Sequence, residues 1–132
     1  MRGLRRLLGR DSWALTTQDG WKNVVNILFI CSRNQWRSPT AEAVWKDHPA
    51  VSARSAGTSR NARRTLRIED LRWADVVCVM EEKHKSRVRS EYPRASKYLR
   101  IEVLDIPDEY RFMDADLIRE LKTAVLPIVQ GA

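Results

Sequence analysis

The sequence has little of several residue types that mark common classes of protein. It contains two cysteines, two histidines and five glycines in 132 residues. Two cysteines without a secretory hydrophobic segment are not a disulfide framework, so we expect a reducing, cytoplasmic setting. No apolar run approaches the roughly 20 residues that a membrane-spanning helix needs, so we expect no membrane association. The histidines, His48 and His84, lie in no metal-ligand pattern; we expect no bound metal, and we expect His84 to be exposed on a surface helix.

Residues 1–22 differ in composition from the remainder of the chain. They carry five Lys and Arg against two Asp, which supplies +3 of the formal net charge of +7, and they show little apolar periodicity. We interpret residues 1–22 as a basic, poorly ordered N-terminal extension and residues 23–132 as one domain. The domain is only moderately basic and lacks the aromatic stacking pattern of single-strand binders, so a nucleic-acid partner is not expected.

Apolar runs alternate with helical patterns along residues 23–132. The apolar runs lie at 24–30, 51–56, 75–80 and 101–104, and helical patterns lie at 39–47, at 81–91 and after Asp114. This alternation predicts an α/β fold, a three-layer sandwich with a four-stranded parallel sheet and helices on both faces. Parallel sheets bind ligands beyond the carboxyl ends of their strands, where the loops that follow Ile30 and Leu104 begin.

The segment from Ile27 to Thr40 carries the most informative pattern. An apolar strand ends on Cys31, a loop leads to Arg37, and Ser38-Pro39 opens a helix. Backbone N–H groups in such a loop, together with the helix N-terminus, form a concave site for a tetrahedral oxyanion. These groups and Arg37 also favour the thiolate, which is the nucleophilic form of a cysteine. The phosphate-binding set that we expect comprises Ser32, Arg33, Asn34, Gln35, Trp36, Arg37 and Ser38.

This segment resembles the signature of the low-molecular-weight protein tyrosine phosphatases. The matching residues are Cys31, Asn34, Arg37, Ser38, Pro39 and the following Ala41-Glu42-Ala43-Val44. The later landmarks of that family resemble Ser55-Ala56-Gly57-Thr58, Trp73-Ala74-Asp75 and Asp108 near Tyr110, in the same order. The resemblance implies strand order 2-1-3-4, a cysteinyl-phosphate enzyme with Cys31 and Arg37 as catalytic residues, and no cofactor. It also implies that Ser38 donates to Cys31 besides, or instead of, capping the helix. The substrate would be a phosphorylated protein or a small phosphomonoester.

Two carboxylates in the loop after the fourth strand are candidates for the general acid. Asp108 follows Pro107 and precedes Tyr110 by two residues, and the family's acid loop likewise places its aspartate before an aromatic residue of the pocket. The resemblance therefore implies Asp108 as the general acid and Tyr110 as the aromatic wall beside the substrate. Asp105 is the alternative acid, although an aspartate directly after a strand often serves the geometry of the turn.

Three features depart from the family pattern. Arg33 stands where a glycine is usual, so the turn must rely on Asn34, which tolerates a left-handed backbone. Trp36 stands where many members have a second cysteine, which excludes their protective disulfide within the loop. The connection after Gly57 is short and supplies arginines instead of an aromatic wall; these are either a solvated face or a guide for a polyanionic substrate. They are Arg60, Arg63, Arg64, Arg67 and Arg72.

Four functions remain open from the sequence. Tyrosine phosphatase activity is preferred, and a phosphoserine phosphatase like the related RNA polymerase II C-terminal-domain phosphatase is supported by Cys31-Ser32, Asn34-Gln35 and Asp105-Ile106. Arsenate reduction needs further cysteines, and the remaining one, Cys78, is expected to be buried in the third strand. A non-catalytic phosphate or nucleic-acid binder would not need Cys31. The sequence gives no indication of the oligomeric state.

Overall fold

A computed structural model of the chain describes residues 24–131, and the predicted extension at residues 1–22 lies outside the described residues. Four strands alternate with four helices. In chain order they are β1 (Val25–Cys31), α1 (Arg37–Trp45), β2 (Val51–Gly57), α2 (Ile68–Trp73), β3 (Val76–Val79), α3 (Glu82–Glu91), β4 (Arg100–Val103) and α4 (Ala115–Gly131).

The four strands form one parallel sheet. Strand β1 pairs with β2 on one side and with β3 on the other, and β3 pairs with β4, so the order is β2-β1-β3-β4. Residues 27–30 of β1 are completely buried, as expected for an interior parallel strand that is covered on both faces. The predicted α/β fold and the predicted strand order are confirmed.

Two apolar clusters lie on opposite faces of the sheet. Side chains of β1 alternate between them: Phe29 packs with residues of α1 and α4, whereas Leu28 packs with residues of α2 and α3. The two pairs of helices therefore form the outer layers of a three-layer sandwich, as predicted.

Helix α4 covers the sheet with an apolar stripe in which Leu117, Leu121 and Val125 recur every four residues. Asp114 caps this helix, because its carboxylate accepts hydrogen bonds from the backbone N–H groups of Asp116 and Leu117. Within residues 24–131, no helix is both long enough and apolar enough to span a membrane.

All four strands run in the same direction, so their carboxyl ends share one edge of the sheet. Strand β1 ends there at Cys31 and β2 at Gly57, while Glu81 and Asp105 follow β3 and β4 within two residues. The loop that follows β4 is attached to this edge by backbone hydrogen bonds from the N–H of Leu104 to the Val79 oxygen (2.8 Å) and from the N–H of Ile106 to the Met80 oxygen (2.9 Å).

Candidate active site

The loop of residues 32–36 connects β1 to α1 at the sheet edge. Asn34 has a φ of 52°, in the left-handed region, whereas Arg33 does not have a positive φ. The turn is therefore made at Asn34, whose short polar side chain tolerates this conformation, and the loop does not require a glycine at position 33.

The segment after β2 lies directly against this loop. A Cβ atom on Gly57 would come within 2.6 Å of the Ser32 carbonyl oxygen and 2.9 Å of the Asn34 nitrogen, so this approach requires glycine. Three backbone N–H groups after Gly57 donate to carbonyl oxygens of the loop region: Thr58 to Cys31 (3.0 Å), Ser59 to Ser32 (2.9 Å) and Arg63 to Arg33 (2.9 Å).

Ser38 lies inside α1 and does not cap it, and its hydroxyl oxygen is 3.0 Å from the Cys31 sulfur. The Asn34 amide donates to Ser38 and to Ser55, at 2.9 Å each, and Ser55 donates to the Glu42 carboxylate. Because Ser38 accepts from Asn34, its own hydrogen is available to the sulfur. The competing acceptor, the carbonyl oxygen of Ala56, is farther away at 3.4 Å. This arrangement suits a hydroxyl that stabilises a thiolate.

Arg37 is 2% exposed and has two partners on one nitrogen. Its Nη1 donates to the Glu81 carboxylate and to the carbonyl oxygen of Ile106, at 2.9 Å for the latter. The hydrogen bond from Arg37 lowers the pKa of Glu81, so this carboxylate stays ionised beside the guanidinium. The Nε and Nη2 groups form the other edge of the planar fork, which matches two oxygens of a phosphate.

A small cavity of about 140 Å³ opens above Cys31. It is well below the roughly 300–1,000 Å³ of typical small-molecule pockets, a size that suits a compact group. The Asp108 carboxylate lies at its rim, 3.6 Å from Arg37 Nε. The lining residues are Cys31, Ser32, Arg33, Gln35, Trp36, Arg37 and Asp108. Asn34 and Ser38 were also predicted to bind phosphate, but they are fully buried in the hydrogen-bond network behind the cavity.

Two other residues predicted for the site do not line this cavity. Asp105 has a φ of 57° and lies at the start of the loop that follows β4. Tyr110 is half-buried against the apolar cluster of α1 and α4, and its hydroxyl donates to Glu120, which raises the pKa of Tyr110 to about 12. The aromatic residue that does line the cavity is Trp36, which is 37% exposed.

The prediction that His84 is an exposed surface residue is wrong. His84 is 1% exposed, its Nδ1 accepts from the N–H of Glu81 at 3.0 Å, and its Nε2 lies 2.9 Å from the Ser32 hydroxyl oxygen. Burial, with the nearby positive charge of Arg37, lowers the pKa of His84 to about 4. The ring is therefore neutral at pH 7, and because Nδ1 accepts, its proton is on Nε2 and is donated to Ser32.

Sequence reasoning missed both Glu81 and His84. The segment at 81–91 is rich in charge, which is typical of a solvated helix. This pattern gave no indication that its first residues contact the loop of Cys31. The signal that could have found them is their position after β3, because the carboxyl end of β3 lies at the same edge as Cys31.

The arginines after Gly57 do not act as one group. Arg64 donates to the Ser55 carbonyl oxygen at 2.6 Å and to Asp70 at 2.7 Å, and Arg63 Nε donates to the Asn34 carbonyl oxygen at 3.1 Å. Both side chains therefore support the structure around the loop. Arg60 is exposed.

Cys78 is completely buried in β3, as predicted, and burial raises its pKa to about 12. It is therefore a thiol and not a nucleophilic thiolate at neutral pH. Within residues 24–131, no three His, Cys, Asp or Glu side chains are grouped so that they could hold a metal ion.

Neither a protein-family model nor a curated protein matches the sequence. Solved structures do match. The YwlE arginine phosphatase from Geobacillus stearothermophilus has a TM-score of 0.64 at 24% identity, over 81% of this chain and 92% of that one. The tyrosine phosphatase Wzb from Escherichia coli K30, solved in complex with phosphate, has a TM-score of 0.66 at 22% identity, over 82% and 98%.

A low-molecular-weight phosphotyrosine phosphatase from Vibrio cholerae O395 has a TM-score of 0.64 at 19% identity, over 80% of this chain and 97% of that one. The chain has the low-molecular-weight protein tyrosine phosphatase fold. Each of these matches spans at least 92% of the other chain.

Proposed function

We propose that this chain is a phosphatase that hydrolyses phosphomonoesters through Cys31, with phosphotyrosine in a protein as the preferred substrate. One observation carries the proposal. Cys31 and Arg37 both line a compact cavity of about 140 Å³, and the Ser38 hydroxyl oxygen is 3.0 Å from the Cys31 sulfur. A purely structural cysteine at a strand end would need none of these neighbours.

In the first step the Cys31 thiolate attacks phosphorus in line with the leaving oxygen. The S–P bond forms as the P–O bond breaks, while Arg37 and the loop N–H groups bind the three equatorial oxygens. Asp108, at the rim of the cavity, donates a proton to the leaving oxygen. A bound phosphate would take over the Arg37 edge that Asp108 now approaches, which leaves the Asp108 carboxyl beside the leaving oxygen.

In the second step the Asp108 carboxylate accepts a proton from water, and the water oxygen attacks phosphorus. The S–P bond breaks, the electron pair returns to sulfur, and inorganic phosphate leaves. Ser38 stabilises the departing thiolate by donating a hydrogen bond to it. Glu81 acts through Arg37 as a positioning residue, since it holds Nη1 and leaves Nε and Nη2 for the phosphate.

Phosphoserine hydrolysis is the second candidate function. It is favoured by the composition of the cavity wall, because neither Tyr110 nor the segment after β2 supplies an aromatic residue to it. Trp36 is the aromatic residue that could contact a phenyl ring, and it lies on one side only. Arsenate reduction is less well supported, because Cys78 is buried as a thiol and is not positioned as a relay.

The test is hydrolysis of aryl phosphates by wild type and Cys31→Ser. We expect vanadate to inhibit the wild type, a chelator to leave the rate unchanged, and Cys31→Ser to be inactive. Appreciable activity of Cys31→Ser would refute the thiolate mechanism. Peptides that differ only in carrying phosphotyrosine, phosphoserine or phosphoarginine then establish the substrate, the last because a similar structure is an arginine phosphatase.

The general acid is identified by leaving-group dependence. Asp108→Asn should slow phenyl phosphate by about 10²- to 10⁴-fold, the usual contribution of a general acid, and should affect p-nitrophenyl phosphate less. Asp105→Asn is the matched control, since the same change of charge is made three residues away, outside the cavity. If Asp105→Asn gives the leaving-group-dependent loss and Asp108→Asn does not, the two roles must be exchanged.

A further inference from the structure

A second cleft, of about 500 Å³, lies next to the cavity above Cys31. The two share Ser32, which lines both. The proposed hydrolysis does not use the second cleft. Its lining residues are Ser32, Thr58, Ser59, Arg60, Lys83, His84 and Arg87.

The lining of this cleft is cationic. It includes Arg60, Lys83 and Arg87 and no carboxylate. Among the residues that the structure describes, Arg60 and Lys83 form no ion pair, and Arg87 pairs with Glu91 at 3.2 Å. These two side chains therefore lie beside a proposed phosphate site without an ion-pair partner among the described residues, whereas Arg63 and Arg64 have structural partners.

The cleft also offers hydroxyl donors that are held in place. The backbone hydrogen bonds from Thr58 and Ser59 fix their segment to the loop that carries Cys31. Buried His84 donates from Nε2 to the Ser32 oxygen, so the hydrogen of the Ser32 hydroxyl is left to donate to a further acceptor. Charged side chains and fixed O–H donors together match an oxyanion such as phosphate or carboxylate.

We propose that this cleft is a subsite for a second anionic group, phosphate or carboxylate, of the phosphopeptide whose phosphomonoester is hydrolysed at Cys31. The inference rests on the proposed function and specifies its substrate class. The shared residue Ser32 makes the two sites adjacent, so a second anion only a few residues away along a peptide can occupy the cleft. The second group comes either from another phosphorylated residue or from an acidic side chain, and the two sources share this chemistry.

The test compares three peptides around one phosphorylated residue: one with neutral neighbours, one with two neighbouring glutamates and one with a neighbouring second phosphate. Wild type should show a higher kcat/KM for both anionic peptides than for the neutral one. The Arg60→Gln/Lys83→Gln variant should lose about tenfold in kcat/KM on the anionic peptides at low salt, and less at high salt. Its kcat/KM for phenyl phosphate should stay unchanged, because neither residue lines the cavity above Cys31.

The matched control is Arg72→Gln/Arg94→Gln, which removes two exposed positive charges that line neither cavity. If the control loses as much as Arg60→Gln/Lys83→Gln, the effect is that of net charge and the subsite is refuted. Equal loss on the neutral and the anionic peptides also refutes it. A higher kcat/KM for the doubly phosphorylated peptide alone identifies phosphate as the second group. A higher kcat/KM for both anionic peptides shows that the cleft also accepts acidic side chains.

A direct binding experiment distinguishes failure of the proposed function from failure of the subsite proposal. Fluorescence anisotropy of the same labelled peptides is measured on Cys31→Ser, which hydrolyses none of them under the proposed mechanism. Tighter binding of the anionic peptides, lost with Arg60→Gln/Lys83→Gln added, supports the subsite even if wild type shows no turnover. Equal affinity for all three peptides refutes the subsite, whatever the activity of the wild type.

Discussion

Burial of His84 behind the loop of residues 32–36 should make the stability of this protein sensitive to acid. The pKa of His84 is about 4 in the folded protein, lowered first by burial and then by the charge of Arg37, against 6.5 for an ordinary histidine. The carboxylates of Glu81 and Asp108 oppose this shift, and the charge of Lys83 adds to it. The folded state therefore binds the proton less readily than the unfolded state.

The sign and the size of the change in unfolding free energy with pH follow from this difference between the two pKa values. The contribution to stability is complete above pH 6.5 and is lost as the pH falls toward 4, because only the unfolded chain takes up the proton in this window. With these two pKa values, linkage gives a loss of about 2 kcal/mol between pH 7 and pH 5, and about 3 kcal/mol in total. His84 is 1% exposed, so solvent screening does not reduce this figure greatly.

The assay is urea unfolding of wild type and His84→Gln between pH 7 and pH 4.5. Glutamine is chosen because it can still accept the hydrogen bond from the Glu81 N–H at the start of α3. We expect the unfolding free energy of wild type to fall by about 2 kcal/mol more than that of His84→Gln between pH 7 and pH 5. Ser32→Ala keeps the histidine and should keep the wild-type pH dependence. Equal pH slopes for wild type and His84→Gln would refute the argument.

Three further predictions test the support of the loop and the two thiols. Gly57→Ala should lower the free energy of unfolding by about 1–3 kcal/mol and weaken vanadate binding, because its Cβ would meet the loop, whereas Gly131→Ala has open space and should change neither. Asn34→Gly keeps the left-handed backbone but loses the amide hydrogen bonds, so urea unfolding should show it less destabilised than Asn34→Ala by on the order of 1 kcal/mol; the reverse order would mean that the backbone is not strained. Iodoacetamide at pH 8 should label Cys31 and not Cys78, and peroxide should give over-oxidised Cys31 without a Cys31–Cys78 disulfide; mass spectrometry that finds Cys78 labelled in folded protein would contradict its burial.

The fold could be predicted because each strand and helix has a local pattern. Interior parallel strands are apolar on both faces, and α4 has a clear four-residue repeat, so neither assignment depends on distant contacts. The boundaries were less accurate. Helix α1 begins at Arg37, two residues before the predicted start at Pro39, because the loop leads directly into the first helical turn.

The loop that carries Cys31 could also be predicted, because the residues that interact within it lie in one stretch of eight residues. Cys31, Asn34 and Ser38 come together because a single turn brings them together, and the left-handed φ at Asn34 follows from the residue type. Partners that are distant in the sequence could not be found in this way. Glu81 is 44 residues from Arg37, and His84 is 52 residues from Ser32.

The charged side chains show why composition alone was a poor guide to the site. A run of arginines predicts a positive surface, but whether a given arginine is available to a ligand depends on its partners. Arg63 and Arg64 lie within a few residues of Arg60, yet their hydrogen bonds to Asn34, Ser55 and Asp70 assign them to the support of the loop. Lys83 and Arg87, which come from α3, join Arg60 at the second cleft although they are distant in sequence. The positive charge available to a substrate is therefore set by the sheet edge that brings these residues together, and not by the most basic stretch of the sequence.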